Sequence, residues 1–168
     1  MTELDTALTA LQVAIQTEID GYNFYQRFSE RTEDPNARAM FQRLAQDEVM
    51  HLELLRNTKA MLQDSGRWAD YQGLPLKLVE GSPIFSRERV EQNIVDYTSD
   101  LSALRMAYLI EKDAVDFYTR AAQKTGDPNG KRIFLDLVKM EQGHLDLLEG
   151  EYTYLRGQFQ TAMGFAPF

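Results

Sequence analysis

Apolar residues recur at alternating three- and four-residue spacings in four stretches of the chain, a pattern typical of amphipathic helices in a bundle. The spacing predicts helices at about 4–32, 35–64, 101–125 and 128–158. TEDPN (32–36) and TGDPN (125–129) divide each half, because Asp before Pro is typical of an N-cap followed by the first helical residue. The sequence therefore predicts an all-α protein of two helical hairpins, with a crossover at about 65–100. Within it, part of 87–97 is left open as a segment that extends or precedes the third helix.

The two hairpins are related by an internal repeat. Residues 14–55 align without a gap onto 107–148, and 17 of the 42 aligned positions are identical. Such self-similarity indicates one structural unit used twice, so we predict a four-helix bundle with pseudo-twofold symmetry. We expect one domain over 1–168, with hairpins at about 4–64 and 101–158 and an apolar tail at 159–168.

Each predicted helix has an inner seam that is apolar except where Glu and His replace aliphatic residues at mid-helix. The seams comprise Leu4, Leu8, Leu11, Ile15, Glu18, Tyr22 and Tyr25; Phe41, Leu44, Glu48, His51, Leu55, Thr58 and Leu62; Leu101, Leu104, Tyr108, Glu111, Val115, Tyr118 and Ala122; and Phe134, Leu137, Glu141, His144, Leu148, Glu151 and Leu155. Buried carboxylates are costly unless a cation balances them. The seams therefore point to a polar centre inside the bundle.

Composition narrows the chemistry of that centre. The net charge of −8 argues against nucleic acid as a partner, and the absence of cysteine excludes disulfides and thiolate metal sites. The N-terminus is acidic and amphipathic, unlike a signal peptide, and no apolar run approaches the roughly 18 residues of a membrane span. We expect a cytoplasmic protein with no membrane partner.

Four glutamates and the only two histidines of the chain form a candidate metal-ligand set. Glu-x-x-His places both side chains on one helix face, and the motif occurs in DEVMH (47–51) and again in MEQGH (140–144). Four carboxylates would balance two divalent ions. Oxygen and imidazole donors suit iron or manganese, and zinc is also compatible. The predicted metal ligands are Glu18, Glu48, His51, Glu111, Glu141 and His144.

Three further residues are candidates for supporting this set. Tyr25 and Tyr118 follow glutamates by seven residues on the same helix face. They are either core aromatics or phenols that donate hydrogen bonds to ligand carboxylates. Asp47 is a candidate acceptor for the non-ligating nitrogen of a histidine, and we favour His144 across the bundle over the histidine of its own helix.

EIDGYNFY (18–25) and EKDAVDFY (111–118), each followed by DPN and then by DEVMH or MEQGH, resemble the diiron domain of rubrerythrins in the ferritin-like superfamily. The resemblance implies that Glu48 and Glu141 bridge two irons. It also implies terminal ligands, namely Glu18, Glu111, His51 and His144. Peroxidase members usually carry another glutamate at the position of Ala114, whose repeat counterpart is Gly21, and no rubredoxin module follows here.

The resemblance implies a diiron oxidoreductase that reduces hydrogen peroxide or dioxygen. Electrons would come from an external donor, such as a rubredoxin-like protein. Iron oxidation and handling, or a purely structural dimetal bundle, are the alternatives. Apolar residues in the crossover, including Trp68, favour a homodimer, and exchange of hairpins between the subunits is one form that it could take. The tail is expected to cover a bundle end or a neighbouring subunit, with a docking peptide as the alternative.

Overall fold

Four long helices form the part of the chain that the structure describes. The computed structural model describes residues 2–68, 70–73 and 97–164, with backbone only for 97–99. The helices are α1 (Glu3–Arg31), α2 (Pro35–Ser65), α3 (Tyr97–Lys124) and α4 (Pro128–Ala162). The predicted all-α four-helix bundle is confirmed. No helix in these described ranges is both long enough and apolar enough to cross a bilayer.

Two helix ends differ from the prediction. Helix α3 begins at Tyr97 instead of about 101, and α4 continues to Ala162, so residues 159–162 were wrongly assigned to the tail. The α4 helix continues because a glycine within a helix, here Gly157, costs only about 1 kcal/mol relative to Ala. The predictions for the crossover beyond Gly73 and for residues 165–168 fall outside the described residues.

The Asp-Pro signals act as predicted. Asp34 is the N-cap of α2, and its carboxylate accepts hydrogen bonds from the backbone N–H groups of Asn36 and Ala37 at 2.8 and 2.9 Å. Asp127 caps α4 in the same way. These caps satisfy N–H groups that have no partner within the helix. Both hairpins therefore turn at equivalent points, which keeps the two halves in register.

The contacts between α1 and α3 show that these helices run antiparallel. Tyr25, late in α1, reaches Glu111 at the middle of α3, and Tyr118, late in α3, reaches Glu18 at the middle of α1. Helices α1 and α2 pair as one hairpin, and α3 and α4 pair as the other. The middle of each helix therefore faces the centre of the bundle.

Two apolar clusters fill the bundle on either side of this centre. Leu11, Leu55, Phe134 and Leu137 belong to the cluster nearest the start of α1. The cluster at the opposite end includes Phe41, Leu44, Leu104, Leu148 and Leu155. All of these side chains are almost completely buried, so apolar layers separate the polar centre from both bundle ends.

Two residues predicted for the seams are instead exposed. Leu4 lies in the first turn of α1, and Tyr108 lies on the outside of α3, with Ala107 buried in its place. A spacing of three or four residues is allowed at each step of a helical seam, and α3 takes the three-residue step from Leu104. Trp68, half-buried, packs edge-on against Phe134 with ring centroids 6.0 Å apart.

Candidate dimetal centre

The six predicted ligands come together at the middle of the bundle. Helices α1 and α3 each supply one glutamate, and α2 and α4 each supply a glutamate and a histidine. Each of the six is at least 96% buried: Glu18, Glu48, His51, Glu111, Glu141 and His144. The glutamates and histidines that interrupt the apolar seams at mid-helix therefore form one enclosed polar cluster.

The cluster divides into two groups of potential metal ligands. One contains Glu18, Glu48, His51 and Glu141, and the other contains Glu48, Glu111, Glu141 and His144. Within each group, one ligand atom from every residue lies within 4.8 Å of the others. Glu48 and Glu141 belong to both groups. Such an arrangement suits two metal ions bridged by two carboxylates.

Both histidines direct Nδ1 towards the carboxylates. His51 Nδ1 lies 3.1 Å from an oxygen of Glu18 and 3.2 Å from Oε1 of Glu141. His144 Nδ1 lies 2.8 Å from Oε2 of Glu141 and 3.3 Å from Glu111. The imidazole rings are nearly parallel, with centroids 5.5 Å apart. The internal repeat is thus reproduced as two matching halves of one site.

The two tyrosine hydroxyls connect the halves. Tyr25 donates a hydrogen bond to Glu111, and Tyr118 donates one to Glu18, so each phenol bonds to the carboxylate of the opposite helix. Both readings of these tyrosines hold, because the rings are fully buried in the core and the hydroxyls bond to carboxylates. The sequence alone did not show that the bonds cross between α1 and α3. In Glu18 the phenol bonds to Oε1 while Oε2 faces His51, whereas in Glu111 the same Oε1 accepts from Tyr25 and faces His144. Each bond restricts the positions that its carboxylate can adopt.

Burial and mutual repulsion perturb the acids of the centre. Burial, reinforced by Glu141 and Glu18, raises the pKa of Glu48 well above its usual range. Burial followed by the charge of Glu141 also raises the pKa of Glu111 to about 7. These carboxylates therefore retain protons at pH values where exposed glutamates are ionised.

In the two histidines and in Glu141, the neighbouring charges outweigh the effect of burial on the pKa. Burial alone would lower the pKa of each histidine, but the carboxylates, Glu141 foremost, raise the pKa of His51 and His144 well above the usual range. Burial opposes ionisation of Glu141, yet the two histidines hold its pKa well below that range. Because these groups share protons, a metal ion that binds here must displace them.

The two carboxylate oxygens of Glu141 are buried between the histidines. Oε1 lies 3.2 Å from Nδ1 of His51 and Oε2 lies 2.8 Å from Nδ1 of His144, but neither contact has the alignment of a hydrogen bond. Buried polar atoms are nearly always satisfied, and an ion is one explanation where they are not. The donor set therefore fits a pair of divalent cations on its geometry and on its chemistry.

Asp47 lies next to the half of the centre that contains His144. Its Oδ2 is 3.6 Å from Nε2 of His144 and 3.9 Å from Nε of Arg43. Its position beside His144, across the bundle from its own helix, matches the expectation from the sequence. The repeat counterpart of Asp47 is Met140, which carries no charge.

A second group of buried acids lies at the end of the bundle where α2 and α3 begin. This end cluster consists of Asp34, Asp100 and Glu151. Burial, then the charges of the two aspartates, raises the pKa of Glu151 to about 7, and its Oε1 has no hydrogen-bond partner. The sequence placed Glu151 on the α4 seam but gave no sign of its acidic neighbours.

Comparisons with known proteins agree with this architecture. A family model described as rubrerythrin matches residues 9–152. The uncharacterized protein YhjR of Bacillus subtilis is 25% identical over 134 residues, which cover 80% of this chain and 78% of that protein.

Two solved structures are similar to the bundle. A hypothetical protein from Pyrococcus furiosus has a TM-score of 0.68 at 22% identity, with 90% of this chain and 91% of that chain covered. A two-domain protein from Anabaena variabilis, with DJ-1/ThiJ/PfpI-like and ferritin-like domains, has a TM-score of 0.65 at 15% identity. The match covers 94% of this chain and 38% of that protein. At these identities the structures show a shared ferritin-like fold alone.

Proposed function

The chain belongs to the rubrerythrin family, and from this premise we propose that it is a non-haem diiron oxidoreductase that reduces hydrogen peroxide, or dioxygen, with electrons from an external donor. The family and the buried Glu/His cluster support a diiron protein in general. The observation that carries the proposal is the pair of ligand groups that share Glu48 and Glu141. Reduction of peroxide is the specific activity that we add.

In this proposal Glu48 and Glu141, which belong to both ligand groups, would help to hold both ions. Glu18 and His51 complete one position, and the α3 glutamate with the α4 histidine completes the other. When bound, two irons supply two electrons and Lewis acidity for the cleavage of an O–O bond. Reduction of hydrogen peroxide breaks that bond and consumes two electrons and two protons, which gives two molecules of water.

The protein's own groups would fix the donors and exclude bulk water. Tyr25 and Tyr118 hold the carboxylates of the opposite helices, which limits the positions that these ligands can adopt. The apolar clusters on both sides keep the centre dry, so its charges interact more strongly than they would in water. The bundle has no cysteine with which to hold an electron-transfer cluster, and in this proposal the electrons come from an external donor.

Ala114 is the main departure from the peroxidases of the family. It is 5% exposed and belongs to the apolar cluster nearest the start of α1, so this turn of α3 offers no additional donor. The six ligands would remain the same in the oxidised and reduced protein. We expect catalytic turnover to proceed with these six ligands throughout.

Rapid mixing of the reduced protein with peroxide tests the proposal. Protein loaded with two Fe²⁺ per chain under anaerobic conditions is mixed with one equivalent of hydrogen peroxide, and its optical spectrum is followed. We expect oxidation at least tenfold faster than that of free Fe²⁺, retention of both irons, and repeated cycles after reduction. Oxidation at the rate of free Fe²⁺ would refute the activity, and release of ferric iron would favour iron handling instead.

Gly21 allows Glu48 to approach α1, and its replacement by alanine should weaken metal binding. A Cβ atom at this position would lie 3.3 Å from Oε1 of Glu48, so the carboxylate would have to shift. We expect the dissociation constants for Co²⁺ to rise about tenfold, an effect typical of a disturbed ligand environment. Titration followed by absorbance measures this effect.

Gly157→Ala is the matched control, because a Cβ there meets no atom within 4 Å. Each substitution should raise the free energy of unfolding of the metal-free protein by at most about 1 kcal/mol, because alanine favours the helix more than glycine does. Only Gly21→Ala should also weaken binding. Equal affinity in the two variants would show that Glu48 tolerates the methyl group.

A further inference from the structure

The two halves of the centre differ in what surrounds Nε2 of the histidine, the ring nitrogen on the side away from the ligand carboxylates. Nε2 of His144 faces Oδ2 of Asp47 at 3.6 Å, while its Nδ1 faces the ligand carboxylates. Among the described residues, every ion pair of His51 involves Nδ1. One imidazole therefore has carboxylates on both sides, whereas the other has them on one side.

The internal repeat shows that this difference is encoded in the sequence. Met140 stands at the position equivalent to Asp47 and packs against the apolar cluster nearest the start of α1. The equivalent of Arg43 is Asp136, whose carboxylate pairs with Lys139 at 3.0 Å. The nearly symmetric set of six ligands thus has an unsymmetric surrounding.

The charge of Asp47 is only weakly engaged by its other ionic partner and can therefore interact with His144. Its other ionic partner, Arg43, lies 3.9 Å away, and both side chains are partly exposed. Such surface pairs contribute little and are screened by salt. When a metal ion displaces the proton from Nδ1, a carboxylate near Nε2 stabilises the proton that stays on Nε2 and so favours binding of the metal through Nδ1. It also strengthens the imidazole as a ligand.

We propose that Asp47 makes the two metal positions unequal, so that the position completed by His144 and Glu111 takes up the first divalent cation. The inference rests on the proposed dimetal centre. Asp47 acts here as a positioning residue, since it contacts the histidine and not the ion. The position completed by His51 fills second, because that imidazole lacks an outer carboxylate.

Stepwise Co²⁺ titration of the metal-free protein tests this order. Ligand-field absorption and calorimetry should show two binding steps, the first at least tenfold tighter than the second. Asp47→Asn keeps the size of the side chain and removes its charge. It should weaken the first step by about 10–100-fold, the usual effect of removing such a partner, and leave the second step nearly unchanged.

Variants of the histidines assign the steps. His144→Ala should remove the tighter step, and His51→Ala should remove the weaker one. Met140→Asp, in the Asp47→Asn background, should restore two unequal steps, with the tighter step now dependent on His51. Asp47→Glu should keep most of the wild-type inequality, which a purely structural role of the aspartate would not predict.

The outcomes separate this inference from the proposal on which it rests. Fewer than two Co²⁺ ions per wild-type chain would overturn the dimetal centre itself. Two ions that bind with equal affinity, or an Asp47→Asn titration identical to that of the wild type, would overturn the unequal loading alone. Loss of the tighter step in His51→Ala would reverse the proposed order and refute the inference.

Discussion

Replacement of Glu141 by glutamine should abolish tight binding of both metal ions, whereas replacement of Glu18 should mainly affect one. Glu141 belongs to both ligand groups and is 1% exposed. Glutamine has nearly the same size but lacks the charge that balances the cations. Removal of one partner from a buried charged pair costs about 3–5 kcal/mol, which corresponds to a loss of affinity of roughly 100-fold or more for each ion.

Metal content after equilibrium dialysis, with thermal unfolding alongside, measures this effect. Glu149→Gln is the control, since Glu149 lies on the same helix but is exposed. The control should retain two ions per chain and the stabilisation that bound metal gives to the folded state. Glu141→Gln should lose the two bound ions and, with them, this stabilisation. If the variant kept one ion at wild-type affinity, Glu141 could not be shared between the two positions.

The internal repeat explains why the sequence alone defined so much of this centre. A glutamate or histidine on an apolar helix seam is uninformative by itself. The match between Glu18 and Glu111, and between the two Glu-x-x-His motifs, placed all six ligands at one level of the bundle. Helix periodicity then required them to face inward. The structure brings all six together as expected.

Features that depend on contacts between helices were less accessible to sequence reasoning. A heptad pattern does not decide whether α3 turns Ala107 or Tyr108 inward, since both lie at allowed steps from Leu104. The pattern also gave no carboxylate partner for Tyr25, because that partner lies on α3. Such details depend on the rotation and offset of neighbouring helices, which local spacing does not specify.

The end cluster is a similar case. Asp34 reads as a helix cap and Asp100 as an acidic residue in the first turn of a helix, both ordinary local features. Only the packing of α4 against these two helix starts places Glu151 beside them. The backbone N–H of Asp34 donates to Asp100 at 3.3 Å, so the group is held together at the bundle end. Its energetic consequence is a dependence of stability on pH.

Glu151→Gln should stabilise the protein above pH 7 and have little effect at pH 4.5. Burial and the two aspartates raise the folded-state pKa of Glu151 from its usual value of 4.5 to about 7. Between these values the folded state binds more protons than the unfolded state, so the contribution of Glu151 to stability falls as pH rises. Each pKa unit corresponds to 1.36 kcal/mol, so a shift from 4.5 to about 7 suggests a gain of roughly 3 kcal/mol for the variant at pH 8.

Urea unfolding of the metal-free wild type and variant at several pH values between 4.5 and 8 provides the measurement. We compare the free energies of unfolding of the two proteins at each pH. Distant titrating groups, including the dimetal centre, contribute equally to both values and cancel in the difference, because well-separated sites contribute independently. The difference should grow from near zero at pH 4.5 and level off above pH 7. Glu149→Gln should show no such trend. A difference for Glu151→Gln that stayed constant with pH would mean that the Glu151 carboxyl ionises normally despite its burial beside Asp34 and Asp100.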